Sequence, residues 1–285
     1  MGDELTIAKS FTLPLAEVSS ITLRVVAGAT QLCAIGDDSS VIVTGVVAED
    51  GTVGNFERIE IENLLDSDSN SQWEAIAADG TGNVFVLQET PARVLVLDAA
   101  LSRLVGTIEL SAEDEEGQSH GFAEDENSKG EGLLLLRNGH LLVVKEKKPP
   151  LLIEFGPRGS SAQGITPDLF DPATFPIPSP DASVFVPLQS WAVDPTAGLK
   201  DLSDIAVYGA ELYLVSDKGG CLVQIDSTLP RDGGTASVLD RWALPKRIKK
   251  PEGLLMFEGR RALVAIDHDK DKPNLFVLEP LNERA

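Results

Sequence analysis

One phrase recurs along this chain: an acidic residue, an apolar run, a glycine-containing turn, a second apolar run and a second acidic residue. It runs from Glu74 to Glu89, Glu131 to Glu146, Asp204 to Asp217 and Glu252 to Asp267, with spacings of 15, 15, 13 and 15 residues. A degenerate fifth copy runs from Ser20 to Asp37, a spacing of 17. Copies that begin 48 to 73 residues apart define a repeat architecture, and four short strands per copy define a β-propeller. The expected fold is therefore all-β: five blades of four antiparallel strands, starting near residues 20, 74, 131, 204 and 252. Six blades would follow only if the long third copy hides another. The copies leave no room for a second unit, so residues 1–285 read as one propeller domain.

The clearest strands are the second apolar runs: Val84–Leu87, Leu141–Val144, Leu212–Val215 and Ala262–Ile266. They are apolar throughout rather than alternating, as strands buried on both faces should be. Hairpin chemistry precedes them at Asp79-Gly80, Asn138-Gly139, Gly209 and Gly259. Third strands follow at Val41–Val46, Val94–Leu97, Leu151–Phe155, Leu222–Ile225 and Leu275–Leu278. Outer strands are expected near Arg58–Leu64, Leu104–Leu110, Ser183–Val193 and Val238–Leu244. The last copy lacks an outer strand, and Leu5–Leu13 has no partner of its own. Pairing the two would close the ring and remove its exposed edges. The acidic segment Ser111–Gly130 is expected to be a solvated, mobile loop, and the Pro- and Gly-rich segment Gly156–Pro180 an extended excursion.

The 45 acidic and 24 basic side chains give a net charge of −21. Such a surface repels phosphate backbones and anionic lipids and favours cations or a basic partner, unless it serves solubility alone. No apolar run is long enough to span a bilayer as a helix. No basic region followed by an apolar core opens the sequence, so the expected location is cytoplasmic, or exported if a leader was removed. Cys33 and Cys221 fall in non-adjacent copies, too far apart for a disulfide. Absent too are a G-x-S-x-G elbow, a phosphate-binding Gly-Lys loop, an H-E-x-x-H motif and cysteines at zinc spacing. Their absence disfavours α/β-hydrolase, nucleotide-loop and zinc-protease chemistry.

In a propeller the start of each innermost strand and the end of the next lie on the same face. Glu74, Glu131, Asp204 and Glu252 should then ring the channel mouth, with Asp37, Glu89, Glu146, Asp217 and Asp267 close by. Crowded carboxylates raise one another's pKa and need compensation. Lys129, Lys145, Lys147, Lys200, Lys218 and Lys250 could supply it as ion pairs; so could backbone N–H groups, or a hard cation. An all-oxygen set suits Ca²⁺. Asp66, Asp68 and Asn70, before Glu74, and Asp267, Asp269 and Asp271, in the last copy, have the alternate-oxygen spacing of calcium loops without being EF-hands. His120 and His268 are the weak candidates for a catalytic base on this face, with His140 on the opposite one; solvated surface histidine is the plainer reading of both. Trp73 either offers a stacking platform or packs between blades, and Trp191 and Trp242 read as packing residues.

Three segments resemble the SdiA-regulated family of propellers: Glu131–Phe155 (EGLLLLRNGHLLVVKEKKPPLLIEF), Asp201–Asp226 (DLSDIAVYGAELYLVSDKGGCLVQID) and Lys250–Glu279 (KPEGLLMFEGRRALVAIDHDKDKPNLFVLE). The first carries that family's E-G start and K-E-K-x-P strand end. The second carries its D-L-S start, with Asp204 where glycine is usual. The E-G-L phrases are also similar to the esterase-like domain of phytase and to calcium-dependent lactonase propellers. The resemblance implies a propeller that often carries calcium. Two functions follow as expectations. One is a monomeric binding or scaffold propeller holding a small polar ligand or a partner protein at a calcium-stabilised mouth, with no nucleic acid bound and no membrane insertion. The other is a calcium-dependent hydrolase of a phosphoester or lactone, its metal held by Glu74, Glu131, Asp204 and Glu252.

Overall fold

The computed structural model describes residues 4–65, 72–124, 130–147, 149–178 and 183–282. Strand β1 (Ile7–Phe11) opens the chain and is set aside by the sheet that follows. Blade one is β2 (Val18–Val26), β3 (Ala29–Gly36), β4 (Ser39–Val47) and β5 (Val53–Glu60). Blade two is β6 (Trp73–Ala78), β7 (Val84–Gln88), β8 (Arg93–Leu97) and β9 (Leu104–Leu110). Blade three is β10 (Gly132–Leu135), β11 (Leu141–Lys145), β12 (Leu151–Pro157) and β13 (Val184–Val193). Blade four is β14 (Asp204–Tyr208), β15 (Glu211–Ser216), β16 (Cys221–Ile225) and, beyond a short β17 (Gly234–Ala236) that pairs with β13, the outer β18 (Val238–Ala243). Blade five is β19 (Pro251–Phe257), β20 (Arg261–Ile266) and β21 (Leu275–Leu278), completed by β1.

The closure is as the sequence predicts. β1 pairs antiparallel with β21, Phe11 opposite Leu275, and Leu5 N reaches back to Ala243 O of blade four at 2.9 Å. The innermost strands pack in the circuit β2, β6, β10, β14, β19 and back to β2. Five apolar clusters fill the spaces around this circuit, because the middle strands present side chains on both faces. Trp73 is fully buried in the cluster between blades one and two, so it packs rather than offering a platform. Trp191 and Trp242 pack likewise. Cys33 and Cys221 are buried free thiols.

Three local expectations change. The outer strand of blade one lies at Val53–Glu60 rather than Arg58–Leu64, because a tight turn at Gly51 (φ +76°) returns the chain early and Glu62–Leu64 forms a 3₁₀ turn. The described part of the acidic segment is anchored: Phe122 is buried edge-on against Phe155, ring centroids 4.9 Å apart. The Pro-rich excursion is a strap across the face opposite the acidic mouth. Gly80 N donates to Pro172 O (3.0 Å), Arg137 N to Leu169 O (2.8 Å), and Phe175 N to Asp79 Oδ2 (3.1 Å). No helix among the described residues is long and apolar enough to cross a membrane.

Candidate functional site at the acidic channel mouth

The acids reach the mouth because the innermost strands are irregular where the acids sit. The pairing of β6 with β7 slips between Trp73 and Ala75, and that of β19 with β20 between Pro251 and Gly253. The extra residues are Glu74 and Glu252. A bulged residue is left out of the ladder and its side chain is re-aimed, here along the rim of the channel. In blade three, Glu131 N and Gly132 both address Val144, which places Glu131 in the same position. In blade one the slip falls between Val18 and Ser20, and the extra residue is Ser19.

Blade four follows the same register with a different outcome. Asp204 pairs with Val215, and Ser203 N donates to Val215 O (2.9 Å). Ser203 is thus the counterpart of Glu74, Glu131 and Glu252. Asp204 is the counterpart of Ala75, Gly132, Gly253 and Ser20, one position further on. A step of one residue along a strand turns a side chain to the other face. Asp204 therefore does not line the mouth with the other three. Its buried carboxylate accepts hydrogen bonds from Leu254 N (2.8 Å), Ile205 N (2.8 Å) and Ser20 Oγ (3.2 Å). A methyl group added at Gly132 would meet Asp204 Oδ1 at 3.1 Å. One side chain thus touches blades one, three and five, and burial drives its pKa well above the usual carboxylate range despite those bonds.

The mouth is a cavity of about 380 Å³ lined by Glu17, Asp37, Glu74, Glu131, Glu146, Glu252 and Asp267, with Val18 and Ser19. Its inner acids are poorly compensated. Burial, then the charges of Asp37 and Glu89, raises the Glu74 pKa to about 8. Burial and the charge of Asp217 raise Glu252 to about 8, although the Ser203 hydroxyl hydrogen-bonds to it. Burial and the charge of Glu74 push Glu131 well above its ordinary value. Asp37 is raised by burial and by Asp38, and Glu17 by Asp38 and then by burial.

The outer acids are paired. Glu146 takes Lys147 Nζ and, at 3.4 Å, Lys218 Nζ. Asp267 takes Lys250 Nζ at 2.5 Å, and Asp217 takes Lys250 N at 3.0 Å. Glu89 lies just past β7 and acts on Glu74 and Glu131 through its charge. Lys145 is buried with its Nζ on the carbonyls of Lys147 and Pro149. The ion-pair lattice thus forms around the rim. Among the described residues, no lysine or arginine pairs with Glu74, Glu131 or Glu252.

Other candidates lie apart from this cavity. Asp66, Asp68 and Asn70 fall outside the described residues. Asp269 is exposed and bound to Lys272 (2.8 Å), which holds its pKa low, and Asp271 is exposed on the same loop. His120 stands 3.1 Å from Asp114, outside the mouth lining. His268 lines a neighbouring cavity with Arg247, Lys249 and Lys250. His140 is buried against Glu154, Nδ1 to Oε1 2.6 Å. Glu17, Val18 and Ser19 line the mouth outside the repeat phrase, and Ser203 stands in register with the acids of the other blades. Glu17 precedes the degenerate copy that starts at Ser20, and the short spacing of 13 in blade four marks its acid as out of step.

The all-oxygen chemistry suits Ca²⁺, but the spacing does not form a finished cage. Among the described residues, no three Asp, Glu, His or Cys side chains stand close enough together to hold a metal ion directly. An inner-sphere ion would require the mouth carboxylates to swing inward.

No family model matches the chain, and no curated protein matches it in sequence. The SdiA-regulated resemblance therefore rests on its three segments alone. Solved structures do match in fold. Glutaminyl cyclase from Myxococcus xanthus superposes with a TM-score of 0.52 at 13% identity, over 98% of each chain. The PQQ-bound aldose sugar dehydrogenase from Streptomyces coelicolor gives 0.51 at 10% identity, over 96% of this chain and 97% of that one. At such identities the likeness establishes the β-propeller fold and no activity.

Proposed function

We propose that this chain is a binding propeller whose acidic mouth captures a cation, with Ca²⁺ the first candidate. One observation carries the reading: Glu74, Glu131 and Glu252 come from three blades, line one cavity and have no cationic partner among the described residues. In the absence of a cation, burial and mutual repulsion favour their protonated forms. A cation that displaces those protons removes the repulsion and joins three blades at once. The resemblance to calcium-carrying propellers of the SdiA-regulated type points the same way, as does the all-oxygen donor set. Bound Ca²⁺ would supply a fixed positive centre. Glu74, Glu131 and Glu252 would hold it, while blade four presents Ser203 where those blades present an acid and so leaves its side of the rim less charged for a polar ligand or partner.

The hydrolytic alternative would need a base beside the cation. No histidine lines the mouth, and the nearby hydroxyl of Ser203 is engaged with Glu252. Binding is therefore the better supported role.

The test is thermal unfolding at pH 8 with excess Ca²⁺ and with chelator. A ligand at 100 to 1,000 times its Kd stabilises the native state by about 3–4 kcal/mol, or roughly 6–16 °C at 2–4 °C per kcal/mol for a chain of this size. The Glu131→Gln variant should lose most of that gain. Equal melting temperatures with calcium and chelator would sink the calcium reading.

A further inference from the structure

The opposite end of the channel is a second cavity of different character. It measures about 530 Å³ and is formed by the far halves of the five innermost strands. Ile76, Leu133, Ile205, Leu254 and Met256 form its wall, each 6% exposed or less, from blades two, three, four and five. The strap closes one side with Phe170, Asp171 and Pro172. The volume is in the range of small-molecule sites, and an apolar wall with a few convergent polar groups is their usual composition.

The charged groups at this opening are all acidic. Glu49 comes from the turn between β4 and β5, Asp171 from the strap and Glu258 from the β19–β20 hairpin; all three are exposed at the rim. Among the described residues, no lysine or arginine lines the cavity. Arg137 lies outside the lining; its Nε donates to Phe170 O at 2.7 Å and its charge acts on Asp171, against the effect of burial. Asp171 itself is held at φ +51° within the strap, a conformation that Asp and Asn tolerate better than other side chains. Its position is therefore set by the strap's backbone.

We propose that this lower cavity is a binding site for an amphipathic organic cation, with the apolar body in the well and the ammonium group among Glu49, Asp171 and Glu258. An apolar body removes the well from water, and a positive head answers a rim whose charged lining residues, among those described, are acidic. An anionic or strongly polar ligand fits neither part. The site is independent of the acidic mouth: Asp204 and the residues around it lie between the two cavities.

The experiment is calorimetric titration of the full chain with 2-phenylethyl-, 3-phenylpropyl- and 4-phenylbutylammonium, beside the matching alcohols. Affinity should rise up to about fourfold for each added methylene. Each ammonium should bind about two- to fivefold more tightly than its alcohol, as expected for exposed charge pairs. In the triple variant Glu49→Gln, Asp171→Asn, Glu258→Gln the preference for ammonium should vanish while the alcohols still bind, which also shows that the variant is folded. Glu131→Gln, at the other mouth, should leave both series unchanged. The proposal is overturned by no saturable binding, by ammonium and alcohol binding equally to the natural chain, or by a preference that survives the triple variant. It is also overturned if Glu131→Gln abolishes binding, since the amines would then be reporting the acidic mouth.

Discussion

Asp204 Oδ2 accepts the backbone N–H of Leu254 at 2.8 Å, tying the innermost strand of blade four to that of blade five. The same oxygen takes Ser20 Oγ of blade one, and its partner oxygen lies over Gly132 of blade three. Asp204 is thus a latch near the middle of the ring. Burial raises its pKa well above the usual range, against the three hydrogen bonds that lower it. Asn keeps one carbonyl acceptor of the same reach without a charge, whereas Ala leaves Leu254 N–H, Ile205 N–H and Ser20 Oγ without their acceptor.

The expected order of stability in urea denaturation is therefore natural chain, then Asp204→Asn, then Asp204→Ala. Asn, which keeps one of the two acceptor oxygens, should cost about 1–2 kcal/mol, and Ala, which leaves three buried donors without their acceptor, about 3–5 kcal/mol. Equal losses for the two variants would show that the latch acts through its charge.

The mouth predicts a pH dependence of unusual sign for carboxylates. Glu74 and Glu252 titrate near 8 in the folded chain against an ordinary value of 4.5. The folded state thus keeps protons that the unfolded chain gives up. Their stabilising contribution is complete below about pH 4.5 and is lost as pH rises towards 8. Without a cation the melting temperature should fall across pH 5 to 8, level off above that, and fall less in Glu131→Gln. Added Ca²⁺ should flatten the slope and release protons on binding, measurable as a buffer-dependent heat of titration. A melting temperature that rises between pH 5 and 8 would show that the mouth acids are compensated by groups other than protons.

Much of this was legible in the chain because repetition is a long-range signal carried by local patterns. The runs at Val84–Leu87 and Leu141–Val144 are too apolar for one-sided strands, and the homeless segment around Ile7–Phe11 matched the missing outer strand of blade five. The mouth was legible at Glu74, Glu131 and Glu252, where each acid stands at a bulge before a small residue. It was misread at Asp204, whose neighbours in register are Ala75, Gly132 and Gly253. The resemblance had already marked that position as one where glycine is usual. Bulges cannot be read from composition, since they depend on which residues two strands exchange hydrogen bonds with. The strap was legible only as an extended segment. Its course depends on distant partners such as Asp79 and Glu154, which no local pattern announces.

Glu154 holds that strap in place. Its fully buried carboxylate takes His140 Nδ1 (2.6 Å), Gln163 N (3.1 Å) and Gly164 N (3.1 Å). Glu154→Ala strips the acceptor from all three and should destabilise the chain by about 3–5 kcal/mol, since each buried donor left unpaired costs about 1–3 kcal/mol. The loss should be local first. Limited proteolysis should cut the strap between residues 158 and 178 before the blades, and the lower cavity should lose its affinity for phenylalkylammonium ions while the acidic mouth keeps its response to calcium. Cleavage spread evenly over the blades would show that Glu154 supports the whole ring instead.

The ring depends on β1 for its last seam. Ile7–Phe11 pairs along Leu275–Leu278, Glu279 N donates to Thr6 O (2.9 Å), and Asn274 N donates to Phe11 O (3.1 Å). Leu5 and Ile7 pack on the cluster between blades four and five, and Phe11 on the one between blades five and one. Deleting residues 1–12 would bare β21 as a sheet edge and uncover apolar side chains on either side of it, and an unprotected edge is a template for other chains. The truncated chain should elute in size-exclusion chromatography as oligomers and aggregates, with a lower melting temperature. A peptide of residues 4–13, added in excess, should restore the elution position of the intact chain by adding the missing strand. A scrambled peptide should not. If the truncated chain elutes and melts where the intact chain does, blade five is complete without β1, and the seam does not hold the ring closed.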